Sequence, residues 1–445
     1  MDKIKIVFLI LVALIICIPL LFMNTQIHAV SEIDNRELTE FVVPSDDYPV
    51  MIDAYVKDRI GFRSEMITAF TELNDLLFHE MIHPIYTYGK DGYVFFRCED
   101  ETIDTEFIDS FCQYLRSIQD YLEDRNIPFI YCLNPSKATV YSQYLPEGYV
   151  YQNLFNTEMI KSLEKYEVNY IQNIDLLIEK SQTEQVYNVK YDAGHWNDLG
   201  CFYGTNHLLE KVSEYFPNVQ PNHIDDFSIT SQLETSLPSS KFSIHELVPN
   251  FEAKETPEIL NLTDSYEDIR LDNNYRTFSY TTFADETLPD VLFFHGSYYN
   301  NGRSKFLQTS FHDLVRVHNY ENLLNFDYYY NIFQPDCVIL ETAEYATNRD
   351  YFDLETMQTK FFNPPYNKVK STSHEYKSLS ELNPMVKNND GSELLTLQFS
   401  LDSPISYGYF FSNGKEYDLS ISGTTAEVTI KVENYTEDAT VALFA

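Results

Sequence analysis

Residues Ile6 to Met23 read IVFLILVALIICIPLLFM, 18 apolar positions without a charge. As a helix this run is about as long as the hydrocarbon core of a bilayer is thick. Lys3 and Lys5 precede it, so the positive-inside rule keeps the N-terminus in the cytoplasm and sends the remainder outside. A cleaved signal peptide is the rival reading. Ile27-His28-Ala29 would serve as its cleavage site, but the run is long for a signal peptide, which favours an uncleaved anchor over residues 1–26. Cys17 follows Leu-Ile-Ile, a poor lipobox, and no later stretch is long and apolar enough to span again.

The 445 residues exceed one average domain, so two folded units are expected. The formal charge is −37, from 31 basic and 68 acidic residues. Phosphate backbones would repel such a chain, which excludes nucleic acid as a partner class and disfavours a surface lying flat on anionic lipid. Five cysteines remain beyond Cys17, an odd number with no CxxC pair. That pattern indicates neither a disulfide framework nor a zinc ribbon. The 35 tyrosines against a single Trp suit a surface that faces sugars, or an ordinary core edge.

Residues 27–50 are polar and read as a tether. Val56, Ile60, Phe62, Ile67, Phe70, Leu73, Leu76 and Leu77 have helical spacing and predict one amphipathic helix over 51–83, ended by Pro84. Gly89-Lys-Asp-Gly92 reads as a turn feeding a short strand. Helices follow over 105–124 and 156–181. Ile127–Leu133, Val291–Phe294 and Cys337–Leu340 are compact apolar runs of the buried-strand kind. Alternating helix and buried strand predicts an α/β layer with a largely parallel sheet. From residue 386 the pattern turns to strand alternation, at Leu394–Phe399, Tyr417–Ile421, Ala426–Val432 and Val441–Phe444, which predicts a small β-rich domain over 386–445.

Four constellations bear on chemistry. His79-Glu80-Met81-Ile82-His83 matches the HExxH pattern of zinc peptidases, with Glu99, Glu101 or Glu106 as a possible third ligand. Pro84 follows at once, so the pattern is read as a solvent face of the helix and no metal is assigned. In Tyr191-Asp192-Ala-Gly-His195-Trp196-Asn-Asp198, an Asp three residues before a His can hold one ring nitrogen and leave the other as a base. A turn capped by Asp192 is the plain alternative. In Phe294-His295-Gly296-Ser297-Tyr298 a buried strand ends in Gly-Ser, which is how a nucleophile is presented at the carboxyl end of a parallel strand. A strand-to-loop serine of no special role fits too. Asn134-Pro135-Ser136-Lys137 also follows a buried strand. Asn134 and Lys137, with Tyr298, are the candidates for oxyanion or substrate contacts.

In order, these segments resemble the AlgJ/AlgX group, or DHHW type, of the SGNH hydrolase superfamily. The likeness runs through Asn35-Arg36-Glu-Leu38, Asp58-Arg59-Ile-Gly61-Phe62-Arg63, Gly89-Lys-Asp-Gly92-Tyr-Val-Phe95, Pro135-Ser-Lys137, Tyr144-Leu-Pro146, the Asp-His-Trp segment, Gly296-Ser297-Tyr298 and Pro335-Asp336-Cys-Val-Ile339, and so covers about residues 30–350. The resemblance implies an α/β, flavodoxin-like SGNH core with a parallel sheet over 27–385. It implies O-acetyl transfer onto an extracytoplasmic polysaccharide, or the reverse esterase reaction, without a cofactor. The implied partner is a membrane-bound O-acyltransferase-type protein that delivers the acetyl group. By position Ser297 is the implied nucleophile, His195 the base and Asp192 its orienter, with Asp198 a weaker alternative acid. The group usually has Asp-x-His, whereas Asp192-Ala-Gly-His195 has the wider superfamily's Asp-x-x-His spacing. A non-catalytic glycan-binding protein remains the reading without chemistry.

Overall fold

The apolar run forms a single helix, α1 (Lys3–Leu21), in the computed structural model of the chain, which describes residues 3–31, 33, 36–43, 47–98, 101–238, 240–272, 274–300 and 302–444. Among the described residues it is the one helix long and apolar enough to cross a membrane. Asn35 and Glu99, named above, lie outside the described residues.

Two helices, α2 (Tyr48–Arg59) and α3 (Arg63–Phe78), replace the single helix expected over 51–83. The break falls at Gly61, whose N–H donates to the Pro19 carbonyl at 3.0 Å. A Cβ at Gly61 would lie 2.6 Å from the Phe22 backbone oxygen, so the close pass beneath α1 needs glycine. Motif residues fasten this corner: Arg36 donates to Asp58 at 2.7 Å, and buried Arg59 reaches the Gln26 carbonyl and Glu40, each at 2.6 Å. Helix α3 stops at Phe78, short of Pro84, because His79 adopts a left-handed φ of 55°. The HExxH residues are therefore not helical. His79 is exposed while His83 is buried against Tyr86, so the shared helical face that zinc chemistry needs does not form.

A hairpin, β1 (Tyr86–Tyr88) and β2 (Val94–Phe96), leads into α4 (Thr105–Glu123), which Asp104 caps through the Phe107 N–H at 3.0 Å. Then come β3 (Phe129–Asn134), the one-turn α5 (Lys137–Val140), α6 (Leu154–Lys165), β4 (Tyr170–Gln172), α7 (Ile174–Ser181) and α8 (Asp198–Ser213). A long antiparallel hairpin, β5 (Phe227–Ser236) and β6 (Ser243–Ala253), projects next. The chain returns through β7 (Ile259–Asn261), β8 (Phe278–Phe283), β9 (Val291–His295), β10 (Asp313–His318), α9 (Phe326–Phe333) and β11 (Cys337–Ala343).

The central sheet has the order β4-β3-β11-β9-β10-β8-β7. Its first five strands are parallel, with Ile339 of β11 paired to Ile130 of β3 and Phe293 of β9. Strands β3, β9 and β11 are buried along their whole length, as apolar runs covered on both faces should be. The sheet is mixed rather than wholly parallel, because β8 and β7 add antiparallel edges. Only residues 284–290 join β8 to β9, too few for a crossover helix, so β8 runs opposite to β9.

The last part of the chain forms two four-stranded antiparallel sheets. One joins β12 (Glu375–Ser378), β15 (Tyr407–Ser412), β16 (Lys415–Asp418) and β19 (Thr440–Phe444). The other joins β13 (Met385–Lys387), β14 (Leu394–Ser400), β17 (Ser420–Ser422) and β18 (Thr425–Lys431). Leu397, Phe399, Phe410, Val428, Ile430 and Val441 share one core drawn from both sheets. Asn413 and Gly414, both at positive φ, make the tight turn between β15 and β16.

Candidate active site

Three parallel strands deliver their following loops to one edge of the central sheet, the carboxyl ends where open α/β sheets place ligands. Gly296 and Ser297 follow β9, Glu344 and Tyr345 follow β11, and Pro135 follows β3. The loop before α8 brings Asp192 and His195 to the same edge. Asp192 takes a left-handed φ of 58°, which Asp tolerates better than most residues. Its Oδ1 accepts the backbone N–H of His195 at 3.0 Å, closing an Asx-type turn that tips the ring toward the carboxylate.

A continuous hydrogen-bonded line results. His195 Nδ1 lies 2.7 Å from Asp192 Oδ1, and His195 Nε2 lies 2.8 Å from Ser297 Oγ. Burial opposes ionisation of Asp192. The His195 ring, its hydrogen bonds and the Arg303 guanidinium outweigh that and hold the carboxyl well below its ordinary value. Arg303 Nη2 stands 3.5 Å from Asp192 Oδ2. Tyr345 OH is 3.4 Å from Ser297 Oγ, and its ring meets His195 edge-on. Burial raises the Tyr345 phenol, so it stays a neutral donor near pH 7.

The supports are buried. Trp196 donates from Nε1 to the Tyr298 carbonyl at 3.0 Å, tying the histidine loop to the serine turn. Tyr298 OH is within hydrogen-bond distance of the Pro135 and Gly194 carbonyls, at 2.7 and 2.8 Å. Gly194 lets the loop pass close to Phe96, whose ring a Cβ would meet at 2.5 Å and push aside. Glu246 of β6 accepts the backbone N–H groups of Val189, Lys190 and Tyr191 at 2.6, 2.8 and 2.5 Å, so the projecting hairpin braces the loop that ends in Asp192. Beneath the serine turn, Glu341 of β11 accepts the Gly296 N–H at 2.7 Å and Asn134 Nδ2 at 2.8 Å. Burial pushes the Glu341 carboxyl up to about 7, against the lowering effect of those two donors.

Asp192 and His195, three residues apart, are thus brought together with Ser297, 102 residues beyond the histidine. The three lesser candidates are turned elsewhere. Asn134 is wholly buried, its amide given to Glu341 and its oxygen accepting Asn173 Nδ2 at 2.7 Å. Lys137 is also wholly buried. Its Nζ donates to the Val94 and Val189 carbonyls at 2.7 and 3.0 Å, and burial pulls the ammonium down to about 7. Tyr298 serves the loops as described. Their donors are committed to protein acceptors, so the structure gives them scaffold contacts rather than a place at the serine oxygen. Asp198, the alternative acid, pairs instead with Lys305 at 2.5 Å. Tyr345, Glu341 and Glu246 were not expected. Tyr345 had one sequence signal: it follows a buried apolar strand just as Ser297 does.

Fold and site together define an α/β protein with a Ser–His–Asp line at the carboxyl edge of a mixed sheet. No protein-family model and no curated protein matches the chain. Among solved structures it is similar to Bacillus cereus PatB1, at 15% identity and a TM-score of 0.47, over 60% of this chain and 98% of that one. It is similar to the O-acetyltransferase domain of Pseudomonas putida AlgJ, at 15% identity and 0.43, over 62% and 99%. It is also similar to a DHHW family protein from Eubacterium siraeum, at 14% and 0.42, over 63% and 100%. AlgJ and the DHHW type are the group that the sequence motifs resemble. Likenesses this distant carry no weight for chemistry, which rests on the residues of this chain.

Proposed function

We propose that this chain is an extracytoplasmic O-acetyltransferase that moves an acetyl group through an acyl-Ser297 intermediate onto a polysaccharide hydroxyl. The observation that carries the reading is the 2.8 Å approach of His195 Nε2 to Ser297 Oγ, with Asp192 on the opposite ring nitrogen. In this reading His195 takes the Ser297 proton as Oγ attacks the acetyl carbonyl carbon. The oxyanion is met by the Tyr345 hydroxyl and the Ser297 backbone N–H. His195 returns the proton to the leaving group, and the acyl-serine remains. A sugar hydroxyl then gives its proton to His195 and attacks the same carbon, and His195 passes that proton to Ser297 Oγ as the serine leaves. Asp192 stays ionised throughout and fixes the ring.

The choice of acetyl and of a glycan acceptor is drawn from the sequence resemblance to the AlgJ/AlgX group. The same resemblance suggests a membrane-bound O-acyltransferase-type protein as the donor. Helix α1 serves as the single-pass anchor over residues 1–26, with the SGNH-like catalytic unit over 27–385 on the extracellular side. The β-rich part over 386–445 is a second domain, and it recruits β12 at Glu375–Ser378 as a further strand.

The test is acetyl-ester formation on bare glycan by the full-length chain supplied with an acetyl donor, compared with Ser297→Ala. Loss of transfer in the variant is expected. Release of free acetate with no glycan ester would make the protein an esterase. Full transfer by the variant would remove Ser297 from the chemistry.

A further inference from the structure

Helix α3 is amphipathic the wrong way round. At about 100° per residue, Met66, Ala69, Phe70, Leu73, Leu76 and Leu77 fall within an arc of roughly 120°. All six are exposed, Phe70 by 53% and Leu76 by 76%. The opposite face carries Thr68, Thr71 and Asp75 and is the one turned to the body of the protein. Both threonines are buried, Thr71 Oγ1 donates to the Ile82 carbonyl at 2.7 Å, and Asp75 accepts from Tyr88 OH at 3.0 Å. A helix on a water-facing surface does the reverse, hiding the apolar stripe and showing the polar one. A contiguous exposed apolar face marks a contact surface.

Its position says what covers it. The start of α3 is fastened to the end of α1, the candidate membrane span. Gly61 N–H donates to the Pro19 carbonyl at 3.0 Å, Asn24 N–H to the Arg59 carbonyl at 2.8 Å, and the Phe22 and Phe62 rings lie 5.4 Å apart. The arc therefore begins where α1 leaves the bilayer. Its borders carry Glu65 and Glu72 on one side and Arg63 with Asn74 on the other. That is not the lysine-rich rim of a helix drawn to anionic headgroups, but it suits uncharged acyl surface with the acidic groups held out to water.

We propose that α3 lies in the outer membrane–water boundary, with Met66, Phe70, Leu73 and Leu77 entering the acyl region of neutral lipid, and that it seats the catalytic unit on the bilayer. This rests on the anchored reading of α1. It would hold the Ser297 edge at a fixed attitude to the membrane from which acetyl groups are to arrive.

The experiment uses the full chain reconstituted in phosphatidylcholine vesicles, with bromine placed either shallow or deep on the acyl chains. Leu73→Trp reports on the arc and Ile10→Trp on the anchor. The native Trp196 is wholly buried and supplies the unquenched baseline. The added Leu73→Trp emission should fall about twofold or more with shallow bromines, as expected for a helix sunk roughly 5–10 Å into the boundary. Ile10→Trp should be quenched by deep bromines. Quenching of Ile10→Trp without quenching of Leu73→Trp would leave the anchor standing and overturn the proposal. A Leu73→Trp emission that is blue-shifted, unquenched and dependent on the protein-to-lipid ratio would assign the arc to a second copy, and would overturn it too. Absence of quenching at Ile10→Trp would remove the anchored reading itself.

Discussion

Replacing Glu341 with glutamine probes the floor of the site more sharply than removing it. Both groups on the carboxylate are donors, the Gly296 N–H at 2.7 Å and Asn134 Nδ2 at 2.8 Å. Asn134 cannot turn its oxygen around without loss, because that atom accepts from Asn173 Nδ2 at 2.7 Å and Asn173 Oδ1 is bonded in turn to His207 Nδ1 at 2.8 Å. The protonated carboxyl present below about pH 7 can turn its single O–H aside from both donors, whereas a glutamine amide at 341 must point a donor at a donor, which costs about 1–3 kcal/mol for an unmet buried group. The charge acts with its own sign. Burial raises the Glu341 carboxyl from 4.5 to about 7. At ~1.4 kcal/mol per pH unit that is roughly 3 kcal/mol of stability, present below pH 4.5 and lost as the pH rises through 7. Glutamine does not titrate and loses this slope. The melting temperature of Glu341→Gln should therefore lie below wild type at about pH 5, and the gap should narrow or reverse at about pH 8. Because the Gly296 N–H sets the turn that presents Ser297, acylation should fall about tenfold or more at both pH values. Thermal melts at the two pH values, with acylation rates beside them, check this. A pH-independent gap with unchanged acylation would refute a buried carboxylate that holds the serine turn.

Two further substitutions follow from the line itself. Asp192→Asn keeps the shape but supplies no charge to hold the His195 tautomer, and acylation of Ser297 should fall about a thousandfold or more. The melting temperature at neutral pH should fall too, because the folded state loses an ionised carboxylate held by His195 and Arg303. Trp196→Phe removes the 3.0 Å bond to the Tyr298 carbonyl between the two loops. It should cost about 1–3 kcal/mol in stability, read by thermal melting, and lower kcat more than it raises KM.

The parts of the fold legible in the sequence are those whose residues face one environment all along. The runs at 129–133, 291–294 and 337–340 are apolar and buried on both faces, so length and neighbours identified them as strands. The strands that escaped are half-wet. The β5–β6 hairpin alternates polar and apolar residues with much of its surface exposed, and β8 and β10 mix Thr, Ser and Arg into the sheet edge. The helix expected across 51–83 failed at Gly61 because the reason for its break lies elsewhere in the chain, at Phe22. The apolar face of α3 points out, and periodicity alone does not tell an inward face from an outward one. In the site, short-range spacing and a strand end made Asp192, His195 and Ser297 candidates, and the resemblance to the AlgJ/AlgX group joined them into one set. Tyr345, Glu246 and Glu341 were not, since their meaning comes from loops and backbone amides brought together only by the sheet order.

The central claim is that Ser297 is an activated nucleophile. Treating the full-length chain with phenylmethanesulfonyl fluoride and mapping the adduct by peptide mass spectrometry tests it most directly. The predicted result is a single sulfonyl adduct on Ser297, lost in Ser297→Ala and strongly reduced in His195→Ala. An unmodified Ser297 in the folded wild-type chain, or labelling that survives His195→Ala undiminished, would contradict it.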